Sequence, residues 1–285
     1  MPFFQKITEH RHFKISYENT LEDHGKALAV YYYSKVPNWG DTLNKYLLEK
    51  ISGAPVVLCK SRTQQHVVGV GSIVNKANAN SVVWGAGLAK PEHIRKASPG
   101  QINCVRGPLT RNVLQKGGYS CPEVYGDPCI LLRRYYQPKC TEKRYKLGII
   151  PHIADKNHPL VTALGQCPEV KVIDIQQDIE PFIDDLVQCD VIASSSLHGI
   201  IAADTYGIAN THLVLSDNLA GGEFKFNDYH LGIGVHDYPR FDARTAAANA
   251  LTAAQIIQSC RKKAICPSIE EKLLAAFPSD VVERS

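Results

Sequence analysis

The chain has 285 residues, with 16 Pro and 20 Gly scattered through it and hydrophobic residues making up 44%, a composition that excludes disorder, collagen and coiled coil. The length allows one large domain or two of ordinary size. Lys plus Arg outnumber Asp plus Glu by 32 to 28, too small a surplus for general nucleic-acid binding and more in keeping with an anionic small ligand or surface.

The N-terminal segment, residues 1–26, is polar and carries His10, Arg11, His12 and Lys14, so no secretory signal is expected. No apolar run approaches the ~20 residues of a bilayer span, and any membrane association is expected to be peripheral. The first series of predicted strands is Ala27–Tyr33, Pro55–Cys59, Val67–Gly71, Ser81–Gly85 and Ile102–Val105, short β-branched runs of the kind buried in parallel sheets. Between them, residues 41–51 place Leu43, Tyr46, Leu47 and Ile51 at helical spacing and stop at Gly53, and residues 106–116 stop at Gly117 and Gly118.

Residues 133–144 break this pattern, being basic, tyrosine-containing and interrupted by Pro138, and read as a linker. A second series then predicts strands at Leu147–Ile150, Val170–Ile175, Val191–Ala193 and Thr211–Leu215. Its predicted helices cover 158–164, 179–188, 198–206 and 246–262. Strand and helix thus alternate twice over, the signature of two doubly wound α/β units with a ligand at their strand ends. The expected domains are 1–140 and 141–285, the last helix packing back on the first.

Nine cysteines, at 59, 104, 121, 129, 140, 167, 189, 260 and 266, form no CxxC pair or regular framework, which favours reduced thiols in a cytoplasmic setting. No ligand spacing demands a metal. Gly69-Val-Gly71-Ser72 and Trp84-Gly85-Ala86-Gly87 are strand-end turns, but neither completes a dinucleotide fingerprint.

The most informative segment is Asp190-Val-Ile-Ala-Ser194-Ser195-Ser196-Leu197-His198-Gly199. A buried strand runs into three hydroxyls and a histidine at a helix start, where unpaired N–H groups and the helix dipole suit a phosphate or carboxylate. An N-cap beside a satisfied core histidine fits the same residues. In Asn38-Trp39-Gly40-Asp41-Thr42, Gly40 permits close backbone approach and Asp41 is placed to cap the helix. Arg106 and Arg111 in Val105–Arg111 offer guanidinium forks for an anion. Glu223-Phe-Lys225-Phe-Asn-Asp228-Tyr-His230 mixes charged and aromatic groups after Gly221-Gly222, and reads either as a substrate-facing loop or as a packed turn.

Together these segments resemble the polysaccharide pyruvyl transferases, most closely the branch that places ketal pyruvate on xanthan-type exopolysaccharides. The resemblance runs in order through Asn38–Asp41, Gly69–Ser72, Val83–Gly87, Val105–Arg111, Glu123–Pro128, Ile150-Pro-His152, Ser194–Gly199, Phe224–Tyr229 and Leu273–Pro278. It implies two Rossmann-like domains facing across a cleft, like GT-B glycosyltransferases, with phosphoenolpyruvate as donor substrate and no other cofactor. The acceptor it implies is a hexose of an exopolysaccharide or lipid-linked oligosaccharide at the cytoplasmic membrane face, with the basic stretches near Arg11 and Arg133-Arg134 as headgroup contacts.

By motif position, His198 matches the family's catalytic histidine and Arg106 a donor-binding arginine. Many relatives carry Arg where Ser196 stands here, so another cation must pair the donor carboxylate. Lys225 ranks first, ahead of Arg111 and His152. Asp41 or Asp228 would serve as the base toward the acceptor, while Asn38, Gly40, Ser194, Ser195, Ser196 and Leu197 complete the expected binding residues. A nucleotide-sugar-dependent glycosyltransferase of the same fold and a non-catalytic sugar- or anion-binding protein are the alternatives.

Overall fold

The structure is a computed structural model that describes residues 14, 16–217, 221–244 and 251–284. The stretch around Arg11 and residues 246–250 of the expected last-series helix lie outside the described residues. The first lobe contains β1 (Lys26–Val30), α1 (Trp39–Ser52), β2 (Val56–Leu58), β3 (His66–Val68), β4 (Ser81–Trp84), β5 (Gln101–Cys104) and α2 (Pro108–Lys116). A 3-10 segment, Pro128–Arg134, leads out of it. The second lobe contains β6 (Tyr145–Ile150), α3 (Pro159–Leu164), β7 (Val170–Val172), α4 (Ile179–Val187), β8 (Cys189–Ser194), α5 (Leu197–Thr205), β9 (Ala209–Val214), α6 (Phe224–Gly232), β10 (Arg240–Asp242) and α7 (Ala253–Ser259). Finally α8 (Pro267–Ala275) and β11 (Val282–Arg284) follow.

Each lobe is built on a parallel sheet flanked by helices, the doubly wound arrangement expected from the alternation. In the first, β1 lies between β2 and β3, and β4 and β5 follow. In the second the order is β10-β9-β8-β6-β7. Both therefore place their first strand beside their third, and the chain leaves those two strands in opposite directions. The Val-rich strands form because both sheet faces are covered: every residue of β4 is buried, as are the last four of β1 and of β6.

The lobes share one apolar core that runs from Leu28, Val30 and Trp84 through Ile130–Leu132 to Phe182, Ile200 and Phe226. Trp39 fastens α1 to the second lobe: its backbone N–H donates to Ile175 O at 2.8 Å and its indole to Ile179 O at 3.2 Å. The chain end returns to the first lobe, with β11 antiparallel to β1 and the Trp84 indole donating to Leu273 O at 2.9 Å. Arg133 and Arg134, expected at a membrane surface, both pair with the buried Glu270 of α8.

Three local expectations are corrected. The helix after β1 begins at Trp39, because the Asn38 side chain accepts the Gly40 N–H at 3.1 Å and takes the capping role expected of Asp41. Residues 224–232 are a helix rather than a loop or turn, since Phe226, Tyr229 and His230 recur at helical spacing and are buried. The described part of the expected 246–262 helix ends at Ser259: Cys260 is extended and Arg261 pairs with Asn210 through backbone hydrogen bonds. Among the described residues no helix is long and apolar enough to cross a membrane, and all nine cysteines are free thiols.

Candidate active site

The two switch points, where neighbouring strands send the chain opposite ways, face each other across a cleft of about 290 Å³. Asn38 and Asp41 reach it from the segment after β1, and Gly71 and Ser72 from the segment after β3. From the second lobe come His152 after β6 and Ser196, Leu197 and His198 after β8. Lys225 closes the wall from α6. A larger hollow, about 400 Å³, lies between the connection at Tyr136–Cys140 and α4. No strand end opens on it, and Tyr136 already bonds its Asp184 at 2.7 Å, so the strand-end cleft is the candidate site.

Ser194 and Ser195 build the cradle without lining it. Ser194 Oγ donates to Ile150 O at 2.9 Å and receives the Ser196 N–H at 3.0 Å, folding the strand end into a tight turn. Ser195 Oγ donates to the buried Asp155 at 2.7 Å and accepts the His152 N–H at 2.9 Å, which ties the two strand ends together. Ser196 is the N-cap of α5, but its side chain makes no capping bond. The first N–H groups of α5, which have no intrahelical acceptor, therefore lack a side-chain cap and suit an anion in the cleft.

His198 is no satisfied core histidine. Its ring lies against the backbone of Gly40, where an added Cβ would fall 1.9 Å from Nδ1, so only glycine fits there. On the other edge, Nε2 is buried without a hydrogen bond, 3.8 Å from the equally unpartnered Oδ2 of Asp127. Asp41 lines the same wall, and burial raises its carboxyl to about 6, with His198 pulling the other way. His152 is held below the ordinary imidazole range by burial and by Lys225, and its Nδ1 accepts the Ala154 N–H at 3.1 Å.

Lys225 is the buried cation of the cleft. It is 7% exposed, and among the described residues its ammonium has no hydrogen bond and no ion pair. Burial, and then the nearby Arg106, push it down to about 8, against the pull of Asp155. A cation held this way is suited to an anionic partner.

Three further expected groups are engaged elsewhere. Arg106 is fully buried, donating to Asp228, to Leu88 O at 2.7 Å and to Ser72 Oγ at 2.8 Å. It reaches the cleft only through Ser72, and Gly87 leaves room for its guanidinium, which a Cβ would meet at 2.3 Å. Asp228 accepts from Arg106 Nε at 3.1 Å and from the N–H and hydroxyl of Thr110 at 2.8 and 2.7 Å. That arrangement holds α6 to the start of α2. Arg111 donates to Cys121 O at 3.1 Å, outside the cleft. Sequence reasoning missed Tyr33, Asn75, Lys76 and His93, which line the cleft, and also Asp127 and Asp155. The resemblance did run through Asp127, whose Asp-Pro pair was the available signal.

A family model described as polysaccharide pyruvyl transferase matches residues 11–217. Over 224 residues the chain is 34% identical to the uncharacterized protein L143 of Acanthamoeba polyphaga mimivirus, covering 76% of this chain and 78% of that one. Over 217 residues it is 27% identical to the succinoglycan biosynthesis protein ExoV of Rhizobium meliloti (strain 1021), covering 74% and 66%. No solved structure matches. The matched stretch takes in both switch points, Asp127 and His198, and stops short of Lys225; the chain belongs to the polysaccharide pyruvyl transferase family and is an enzyme of that class.

Proposed function

We propose that the protein transfers the pyruvyl group of phosphoenolpyruvate, as a ketal, onto two hydroxyls of a hexose in an exopolysaccharide or its lipid-linked precursor, in the manner of the xanthan-type branch. A lipid-linked acceptor brings the chain to the cytoplasmic face of a membrane. The observation that carries this reading is the unpaired Lys225 cation opening on the same cleft as the α5 N-terminus and His198. Phosphoenolpyruvate is a small, highly charged anion, and burying it without cations or N–H donors would cost many kcal/mol. The α5 terminus and Ser196 suit one anionic group of the donor, and Lys225 the other. Lys225 thereby stands in for the arginine that many relatives carry at the position of Ser196.

Ketal formation needs a proton on the methylene carbon, attack of one acceptor hydroxyl on the cationic carbon so formed, loss of phosphate and closure by the second hydroxyl. The acceptor gives up two protons; one ends on the new methyl group and the other on the departing phosphate. His198 is the acid toward the methylene carbon. Asp41, with its carboxyl raised to about 6 by burial, is a base matched to near-neutral pH.

The test is release of phosphate from phosphoenolpyruvate with and without a panel of lipid-linked saccharides, with mass analysis of the product. Release that depends on the acceptor, with a pyruvate ketal in the product, is the expected result. Binding without turnover would make the protein a sugar- or anion-binding module. Turnover of UDP-sugars instead would make it a nucleotide-sugar transferase.

A further inference from the structure

Asp127 and His198 come from different lobes, 71 positions apart in the chain, and meet at the back of the cleft. Asp127 is fully buried at the start of the 3-10 segment, where Oδ1 accepts the Cys129 N–H at 3.0 Å. Its second oxygen, Oδ2, has no donor, and 3.8 Å away His198 Nε2 is buried and has no acceptor. Two buried polar atoms left facing each other are each destabilising unless they serve each other. No other ion-pair partner of Asp127 exists among the described residues. The opposite edge of the ring, with Nδ1, lies over Gly40, and the residues flanking Gly40 in the turn, Asn38 and Asp41, line the cleft.

We infer that Asp127 is the positioning residue of His198: its free oxygen keeps a proton on Nε2 and turns Nδ1 to the cleft as the nitrogen that exchanges a proton with the donor. The present separation exceeds a hydrogen bond, and such contacts tighten in the substrate complex. In the forward step, Nδ1 of the imidazolium gives its proton to the methylene carbon, and the ring is left as the neutral Nε2–H tautomer facing the carboxylate. A hydroxyl of the acceptor returns the proton. This role rests on the proposed transfer reaction, whereas the tautomer is a property of the resting protein. The two can fail separately.

The experiment is a two-bond ¹H–¹⁵N correlation spectrum of the full chain labelled in its histidine rings, with the His198 signals identified by their loss in His198→Gln. Wild-type protein above the imidazole titration should show His198 as the Nε2–H tautomer, and Asp127→Asn should shift it toward Nδ1–H. Under turnover, Asp127→Asn should lower kcat by about 100-fold or more with little change in KM for phosphoenolpyruvate. An Nδ1–H tautomer in the wild type overturns the assignment even if no variant folds. So does an unchanged tautomer in Asp127→Asn, or a variant that raises KM while leaving kcat intact. If the wild type turns over no phosphoenolpyruvate, the tautomer spectra still decide the pairing.

Discussion

Lys225 and Asp228 stand one turn apart on α6, Asp228 fully buried and Lys225 buried but for its opening on the cleft, and the helix treats them oppositely. Asp228 is surrounded: Arg106 and Thr110 supply donors to both of its oxygens, and the whole arrangement pins α6 to the first lobe. Lys225 has no hydrogen bond or ion pair among the described residues, only the face of the Phe226 ring 5.5 Å from its ammonium, and a proton affinity lowered by burial. A buried charge whose partners are all supplied by the protein holds the fold together. A largely buried charge without an ionic partner costs the empty protein stability and is suited to a ligand of opposite charge.

The contrast can be broken first at Asp228. Asp228→Ala strips the counter-charge from a fully buried guanidinium, and the expected loss is about 3–5 kcal/mol of unfolding free energy in urea titrations. A loss below ~1 kcal/mol would mean that the pair does not fasten the lobes. A second, smaller effect sharpens the same contrast among carboxylates, because Asp41 lines the cleft where Asp228 does not. Its carboxyl, raised to about 6, is the proton acceptor only when ionised, so kcat/KM should fall as pH drops through about 6, well above an ordinary aspartate. Asp41→Asn should abolish that limb and lower the plateau by about 100-fold. A pH profile that keeps the limb in the variant would remove Asp41 as the base.

Much of this was legible in the chain, and the gaps have physical causes. Val-rich runs alternating with helical patterns announced two parallel sheets, because strands covered on both faces leave a continuous apolar signature. The order of those strands, which aims both switch points at one cleft, is a tertiary choice that no local pattern carries. His198, Ser196, Asp41 and Lys225, singled out by residue type, position and the family resemblance, line one cleft. Arg106 and Asp228 were selected on the same grounds, yet they face each other. Residue type announces a charge but not whether a partner 122 positions away already satisfies it. Asp127 escaped notice for the converse reason: an Asp-Pro pair reads as a cap, and its second oxygen acquires meaning only when the other lobe brings His198 beside it.

The central claim is that the cleft keeps an unpaired cation at Lys225 for an anionic donor, and Lys225→Met tests it most directly. Unfolding midpoints of wild type and variant would be measured near pH 7 with and without phosphoenolpyruvate. Holding the lysine charged below about 8 costs the native state roughly 3 kcal/mol, a cost that fades as pH rises toward the unfolded value. The empty variant should therefore be at least as stable as the wild type. Donor at 100 times its dissociation constant should stabilise the wild type by about 2.7 kcal/mol and the variant far less. A variant that is weaker when empty and still gains the full stabilisation from phosphoenolpyruvate would contradict the account.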